Sequence, residues 1–142
     1  MGYYSSVTLI ATKPMAAEIN KFIREEMYSQ PDLITYDSKN EVTRYAWDWI
    51  KWYENDGIQK RIAELRENVI DYEAGGTQDE RYKDMAFVFL RDGESDDDIE
   101  FERGNVEGTV LEDCWCRTEI TYDNSQLRFD DTLKEEGEGC YV

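Results

Sequence analysis

The residues best suited to chemistry in this chain are acidic, and their spacing favours recognition over catalysis. Asp98, Glu100 and Glu102 recur at every second position through Ile99-Glu100-Phe101-Glu102. Alternate side chains of a strand share a face, so the three carboxylates form a row with a step of about 6.6–6.8 Å. That step is close to twice the axial spacing of about 3.4 Å between the phosphates of one DNA strand. Such a row can offer charge to a basic groove much as a nucleic-acid backbone does, with Ile99 and Phe101 pointing the other way into the core. Asp96 and Asp97 lead into the row and Glu112 and Asp113 follow it, giving seven candidate partner-binding residues. The plainer reading is an edge strand that keeps its polar face in water and resists aggregation through like charges.

Other chemistries are poorly served. The chain has no histidine, which excludes a Ser-His-Asp triad, a Cys-His dyad and His-ligated zinc. The acidic turn Asp92–Asp98 suggests calcium, but an EF-hand loop needs Gly at its sixth place and Glu at its twelfth. Counted from Asp92 those places hold Asp97 and Arg103, and counted from Asp96 they hold Phe101 and Glu107. Cys114 and Cys116 share one side of an expected strand, with Cys140 far away in sequence. A C-x-C pair without a second pair reads as reduced, structural thiol and not as a zinc knuckle. Gly75-Gly76 and Gly104 form no phosphate-cradling pattern. With 33 Asp and Glu in the chain, no carboxylate pair stands out for acid–base work. The expectation is a non-enzymatic protein with no cofactor and no metal.

A second constellation is aromatic. Tyr45, Trp47 and Trp49, with Arg44 and Lys51 interleaved and Trp52-Tyr53 following, have the residue types of a stacking platform for a base or nucleotide. Arg44 or Lys51 would then take a phosphate, and the chain would sequester a small signalling ligand. The same types dominate protein–protein hot spots and protein cores, and composition does not separate the three.

The whole-chain numbers bound these readings. At 142 residues and 40% apolar content the chain suits one ordinary domain. Its 33 acids face 16 Lys and Arg, a net charge of −17. Residues 1–71 carry a net −3 and residues 72–142 a net −14, so a nearly balanced base bears an acidic second half. Adaptation to high salt would spread the acids more evenly. A surface of this sign repels phosphate, so free nucleic acid is not an expected partner. No run approaches the 18 apolar residues of a membrane span, and the opening Met1-Gly2-Tyr3-Tyr4-Ser5-Ser6 lacks the basic start of a signal peptide. A cytoplasmic location away from membranes is expected; the oligomeric state is open.

The elements that must position these groups follow from periodicity. Tyr3–Thr12 alternates and is rich in β-branched types, which predicts a strand. Thr12 is placed to cap a following helix with Pro14 in its first turn, and Met15, Ile19, Phe22, Ile23 and Met27 mark one helical face ended by Pro31. Leu33–Tyr36 and Val42–Tyr53, joined by Asp37-Ser38-Lys39-Asn40, predict an antiparallel hairpin with Tyr45, Trp47 and Trp49 on one side and Ala46, Ile50 and Trp52 on the other. Asn55-Asp56-Gly57 breaks the chain and offers a cap, and Ile58, Ile62, Leu65 and Val69 mark a second helix. Met85–Leu90 is continuously apolar and reads as a buried strand. This order predicts an α+β, ferredoxin-like split βαβ (βαββαβ) core over residues 1–92, with two helices on one face of an antiparallel sheet. Residues 93–142 form an acidic, β-rich extension of the same domain, with Leu111–Tyr122 extended and a mobile tail from Asp130 to Gly139.

The opening Gly2-Tyr3-Tyr4-Ser5-Ser6-Val7 and the segment Trp47-Asp48-Trp49-Ile50-Lys51-Trp52-Tyr53 resemble a loose group of small phage and prophage proteins. These begin Gly-Tyr-Tyr-Ser-x-Val and carry a mid-chain Trp-x-Trp-x-Lys-Trp-Tyr. The resemblance covers roughly the first 70 residues and carries over no catalytic residue. It implies a mobile-element origin. With the charge, it leads to the expectation of an anti-CRISPR or anti-restriction type of inhibitor whose partner is a basic host protein or nucleoprotein effector.

Overall fold

The computed structural model describes residues 4–95, 97–116, 120–122 and 131–132. The chain forms an α+β fold in which two helices cover one face of an antiparallel sheet. Strand β1 (Tyr4–Thr12) runs into helix α1 (Lys13–Glu25), β2 (Leu33–Asp37) and β3 (Val42–Lys51) form a hairpin, and helix α2 (Gly57–Glu73) leads through a 3-10 turn at Glu80–Tyr82 to β4 (Phe87–Gly93). The sheet continues with β5 (Ile99–Gly104) and the two-residue β8 (Asp131–Thr132), while β6 (Cys114–Cys116) and β7 (Ile120–Tyr122) make a separate pair. The strand order is β5-β4-β1-β3-β2-β8. It differs from the expected four-strand core by an added strand at each edge, both taken from the second half. Leu111–Tyr122 is likewise not one strand: residues 111–113 are turn, and β6 pairs with β7 in antiparallel register.

The helix-facing core is aromatic. Val7, Leu9 and Ala11 of β1, Tyr45 and Trp47 of β3, and Phe87 and Phe89 of β4 meet Met15, Ile19 and Phe22 of α1 and Ile58, Ile62, Leu65 and Val69 of α2. The spacing of both helices is therefore satisfied by burial, except at Met27. Helix α1 ends at Glu25, and Met27 stands 78% exposed. Edge-on packing of Trp47 against Trp52 (5.0 Å between ring centres) ties the end of β3 to the core. The opposite sheet face carries a smaller cluster of Ile10, Val42, Ala86, Val88, Val106, Leu111 and Cys114. Burial on both faces explains why β4 reads as a continuous apolar run.

Several polar groups inside are matched, while the buried Thr35 Oγ1 and Arg66 Nε make no hydrogen bond among the described residues. The Tyr45 hydroxyl donates to Asn20 Oδ1 at 2.6 Å, and the Trp47 indole N–H donates to the Ser29 carbonyl at 2.8 Å. Asp56 caps α2 by accepting from the Gly57 N–H, and Gly57 takes the positive φ of 60° that this tight entry needs. Thr12 does not cap α1. Its hydroxyl instead donates to the Asp84 carbonyl and accepts from the Ala86 N–H, each at 2.9 Å, because the start of β4 presents unpaired backbone groups beside it. Asp37 closes the β2–β3 turn by accepting from the Asn40 backbone and side-chain N–H groups.

Strand β3 contains the main departure from alternation. Its register with β1 slips by one residue between Trp47 (opposite Val7) and Ile50 (opposite Ser5). The extra residue is a β-bulge, and Trp49 sits in it at φ 59°. The bulge inverts the phase of the strand. Tyr45 and Trp47 face the helices before it, Ile50 and Trp52 face them after it, and Trp49 is turned out of the core to 53% exposure.

Candidate functional site

The side chains of Glu100 and Glu102 lie on the helix-facing side of β5, because Glu102 pairs with the inward Phe89 and Glu100 with Arg91. There they line a groove of about 540 Å³ against α2, with Glu54 at one end and Lys60, Glu64 and Glu67 along the helix. Lys60, Glu64 and Glu67 are spaced four and three apart, so one helical face presents them together. Ala63 and Ile70 add apolar surface to the groove.

Two arginines organise the acids from below. Arg66 stands only 5% exposed and donates to Glu54 and Glu102, each at 2.5 Å. Its guanidinium lies 3.7 Å over the Phe89 ring. Glu54 also accepts from the Trp52 indole N–H at 2.9 Å. Arg91 donates to both oxygens of Asp98 (2.8 and 3.1 Å), to Glu100 (3.1 Å) and to the Ser5 hydroxyl (3.0 Å). Hydrogen bonding to Asp98, ahead of the opposing cost of burial and the bond to Glu100, raises the Arg91 pKa and keeps it charged at every accessible pH. The cations lie inside and the anions outside. Glu100 and Glu102 are 44% and 35% exposed while the arginines beneath are largely covered. Charged groups held by guanidinium forks are preorganised. Six carboxylates (Glu54, Glu64, Glu67, Asp98, Glu100, Glu102) face three cations (Lys60, Arg66, Arg91), so the site stays net negative.

The expected site residues separate on this geometry. Asp98, Glu100 and Glu102 come together, and Asp97 sits in the turn that precedes them. Asp96 lies outside the described residues, as do residues 123–130 and 133–142, which hold nearly all of the expected tail and Cys140. Glu112 and Asp113 are exposed but belong to the other side of the sheet, where Leu111 and Cys114 pack. The expected alternation is also corrected in one respect. Ile99 and Phe101 do not anchor the strand to the helix-side core; they face the opposite side, where Phe101 packs against the smaller cluster. Among the described residues no group of three or more His, Cys, Asp or Glu has metal-binding geometry, and no helix is long and apolar enough to cross a membrane.

The aromatic cluster is not a ligand pocket. Tyr45 and Trp47 are 0% and 1% exposed, closed to any ligand by the helices. Arg44 points to the opposite sheet face, since it alternates with Tyr45. Trp49 and Lys51 lie beyond the bulge at the end of the strand. There Trp49 stacks on Tyr4 with ring centres 6.1 Å apart and planes 14° from parallel, and the Lys51 ammonium lies 5.6 Å over the Tyr4 ring. A bulky residue at positive φ costs about 1–3 kcal/mol, a cost that burial does not offset at Trp49.

Glu54, Glu64, Glu67 and the two arginines escaped the sequence reading. The signal available for the helix residues was their three- and four-residue spacing on the polar face of α2. Arg66 had no local signal, because its partners are 12 and 36 residues away. No protein-family model, curated protein or solved structure matches this chain.

Proposed function

We propose that the protein is a non-enzymatic, phage-encoded inhibitor that occupies a basic nucleic-acid-binding surface of a host defence complex, of the anti-CRISPR or anti-restriction type. The observation that carries this reading is the convergence of five carboxylates on one groove, with Asp98 beside it, where Arg66 and Arg91 hold Glu102, Glu100 and Asp98 in place. Prearranged anions compete with phosphate for Lys and Arg at little entropic cost. A net charge of −17 steers encounter with a cationic partner and makes it salt-sensitive. Support for a ferredoxin-like core comes from the order β4-β1-β3-β2, in which each helix connects two strands separated by one antiparallel neighbour. On this reading a host cytoplasm is the place of action.

The test is phage plating on cells that carry a CRISPR or restriction system, with and without the protein. Expression is expected to restore plaques. The triple variant Asp98→Asn, Glu100→Gln, Glu102→Gln is expected to lose that effect while keeping wild-type circular dichroism. Full plaque protection by a folded triple variant refutes the assignment of the groove. No restoration by the wild-type protein against any such system refutes the function.

A further inference from the structure

We infer that the exposed Tyr4–Trp49 stack is the aromatic anchor of the same interface and receives a cationic side chain, preferentially a guanidinium, from the protein partner. The inference rests on the proposed partner being basic and adds a second kind of contact, carried by a different part of the chain.

Position is the first reason. Tyr4 is paired with Lys51, Ser5 with Gly93 and Asp92 with Ile99. The start of β1, the end of β3, the end of β4 and the start of β5 therefore meet at one end of the sheet. Ser5, next to Tyr4, receives a hydrogen bond from Arg91, which also holds the beginning of the acidic row. Alternation along β1 puts Tyr4 and Lys51 on the sheet face opposite Ser5, Arg91 and the groove, so a partner reaches both features around this end of the sheet.

Electrostatic surroundings are the second. Glu94 accepts the Tyr4 backbone N–H at 2.6 Å, and Asp32 accepts the N–H of Asp48, the neighbour of Trp49, also at 2.6 Å. Glu94 thus lies at the Tyr4 end of the stack and Asp32 beside the backbone that carries Trp49, with the Lys51 ammonium over Tyr4. An anionic ligand such as a nucleotide is disfavoured there, whereas a cation gains from the ring faces and from the acids together. The chain supplies its own precedent, since Lys51 already rests over Tyr4.

The third reason is the contrast with the other tryptophans of this segment. Trp47 and Trp52 are buried and their indole N–H groups are bonded to Ser29 and Glu54. Trp49 is held outward by a strained bulge, 53% exposed, with its ring nearly parallel to that of Tyr4. Guanidinium is the best fit to an open indole face because it is planar and weakly hydrated.

The test titrates octa-arginine into the full chain while following tryptophan fluorescence, with octa-lysine and AMP as comparison ligands. Octa-arginine is expected to bind more tightly than octa-lysine. Trp49→Ala is expected to weaken it roughly 3- to 30-fold, and Trp49→Phe to recover part of the loss by restoring a ring face. Unchanged octa-arginine affinity in Trp49→Ala overturns the inference. If the variant Glu100→Gln, Glu102→Gln still loses affinity in that case, the acidic groove stands without the aromatic anchor. Saturable binding of AMP that depends on Trp49 also overturns it, in favour of nucleotide stacking. No binding of octa-arginine by the wild-type chain overturns both the anchor and the groove.

Discussion

Trp47 and Trp49 are two residues apart in one strand, yet they belong to different regions of the molecule. On the near side of the bulge both helices cover the sheet, and Tyr45 and Trp47 are buried with their polar atoms internally bonded. On the far side, at the end of the sheet, Tyr4 and Trp49 face water, and Arg91 holds Asp98 and Glu100 at the surface. Residue type alone did not assign these aromatics; the phase of the backbone did. One inserted residue turned a third core tryptophan into a surface group.

The two tryptophans should differ most in what their loss costs. Trp47→Ala is expected to lower unfolding stability by about 3–5 kcal/mol, read from the midpoint of urea denaturation. Trp49→Ala should cost no more than about 1 kcal/mol, the scale of one aromatic pair. Equal losses would erase the distinction between the two regions.

Arg66→Ala probes the boundary between them. It removes a buried guanidinium, its contact with Phe89 and the hold on Glu54 and Glu102. A loss of about 2 kcal/mol is expected, smaller than for Trp47 because both carboxylates can turn to water. A loss near zero would mean that the acids are not organised from beneath.

Trp49→Gly sharpens the account of the bulge. Glycine accepts φ 59° without strain, while the Tyr4 stack is lost and the unfolded chain gains freedom. These effects offset, so stability is expected to stay within about 1 kcal/mol of wild type although cation binding falls. A loss of several kcal/mol would make Trp49 a structural residue.

The smallest effect is a control on the helix side. The hydrogen bond from Arg61 holds the Glu25 carboxyl below its ordinary value of 4.5. A depressed carboxylate pKa stabilises the folded state above the unfolded value, and the benefit is lost as pH falls through the folded one. Thermal unfolding of Glu25→Gln should therefore lie slightly below wild type at pH 6, with the gap closing below pH 4.5. A gap that persists at low pH would point to packing in place of charge.

Much of the fold was legible. The helix faces at Ile58, Ile62, Leu65 and Val69 and at Met15, Ile19 and Phe22 are buried as their spacing requires, because a period of 3.6 can be read without knowing what covers the face. The turn at Asp37–Asn40 and the cap at Asp56 were legible because their chemistry is local. The misplacements at Trp49, Met27 and Thr12 share one cause. Each side chain's environment depends on a competing contact or break outside its own periodic pattern. At the candidate site the carboxylate row was visible as alternation, but Glu54 and the arginines were not.

The sign of the charge, its concentration in the second half, the absence of histidine chemistry and the identity of the main elements could all be read from the residues in order. These depend on composition and short-range periodicity. Which carboxylates share a groove, which cations lie beneath them and whether Trp47 or Trp49 faces solvent were settled by folding. Those outcomes require strand register and contacts between residues as far as 36 positions apart, where pairing energy is set by burial and geometry and leaves no mark on the local pattern.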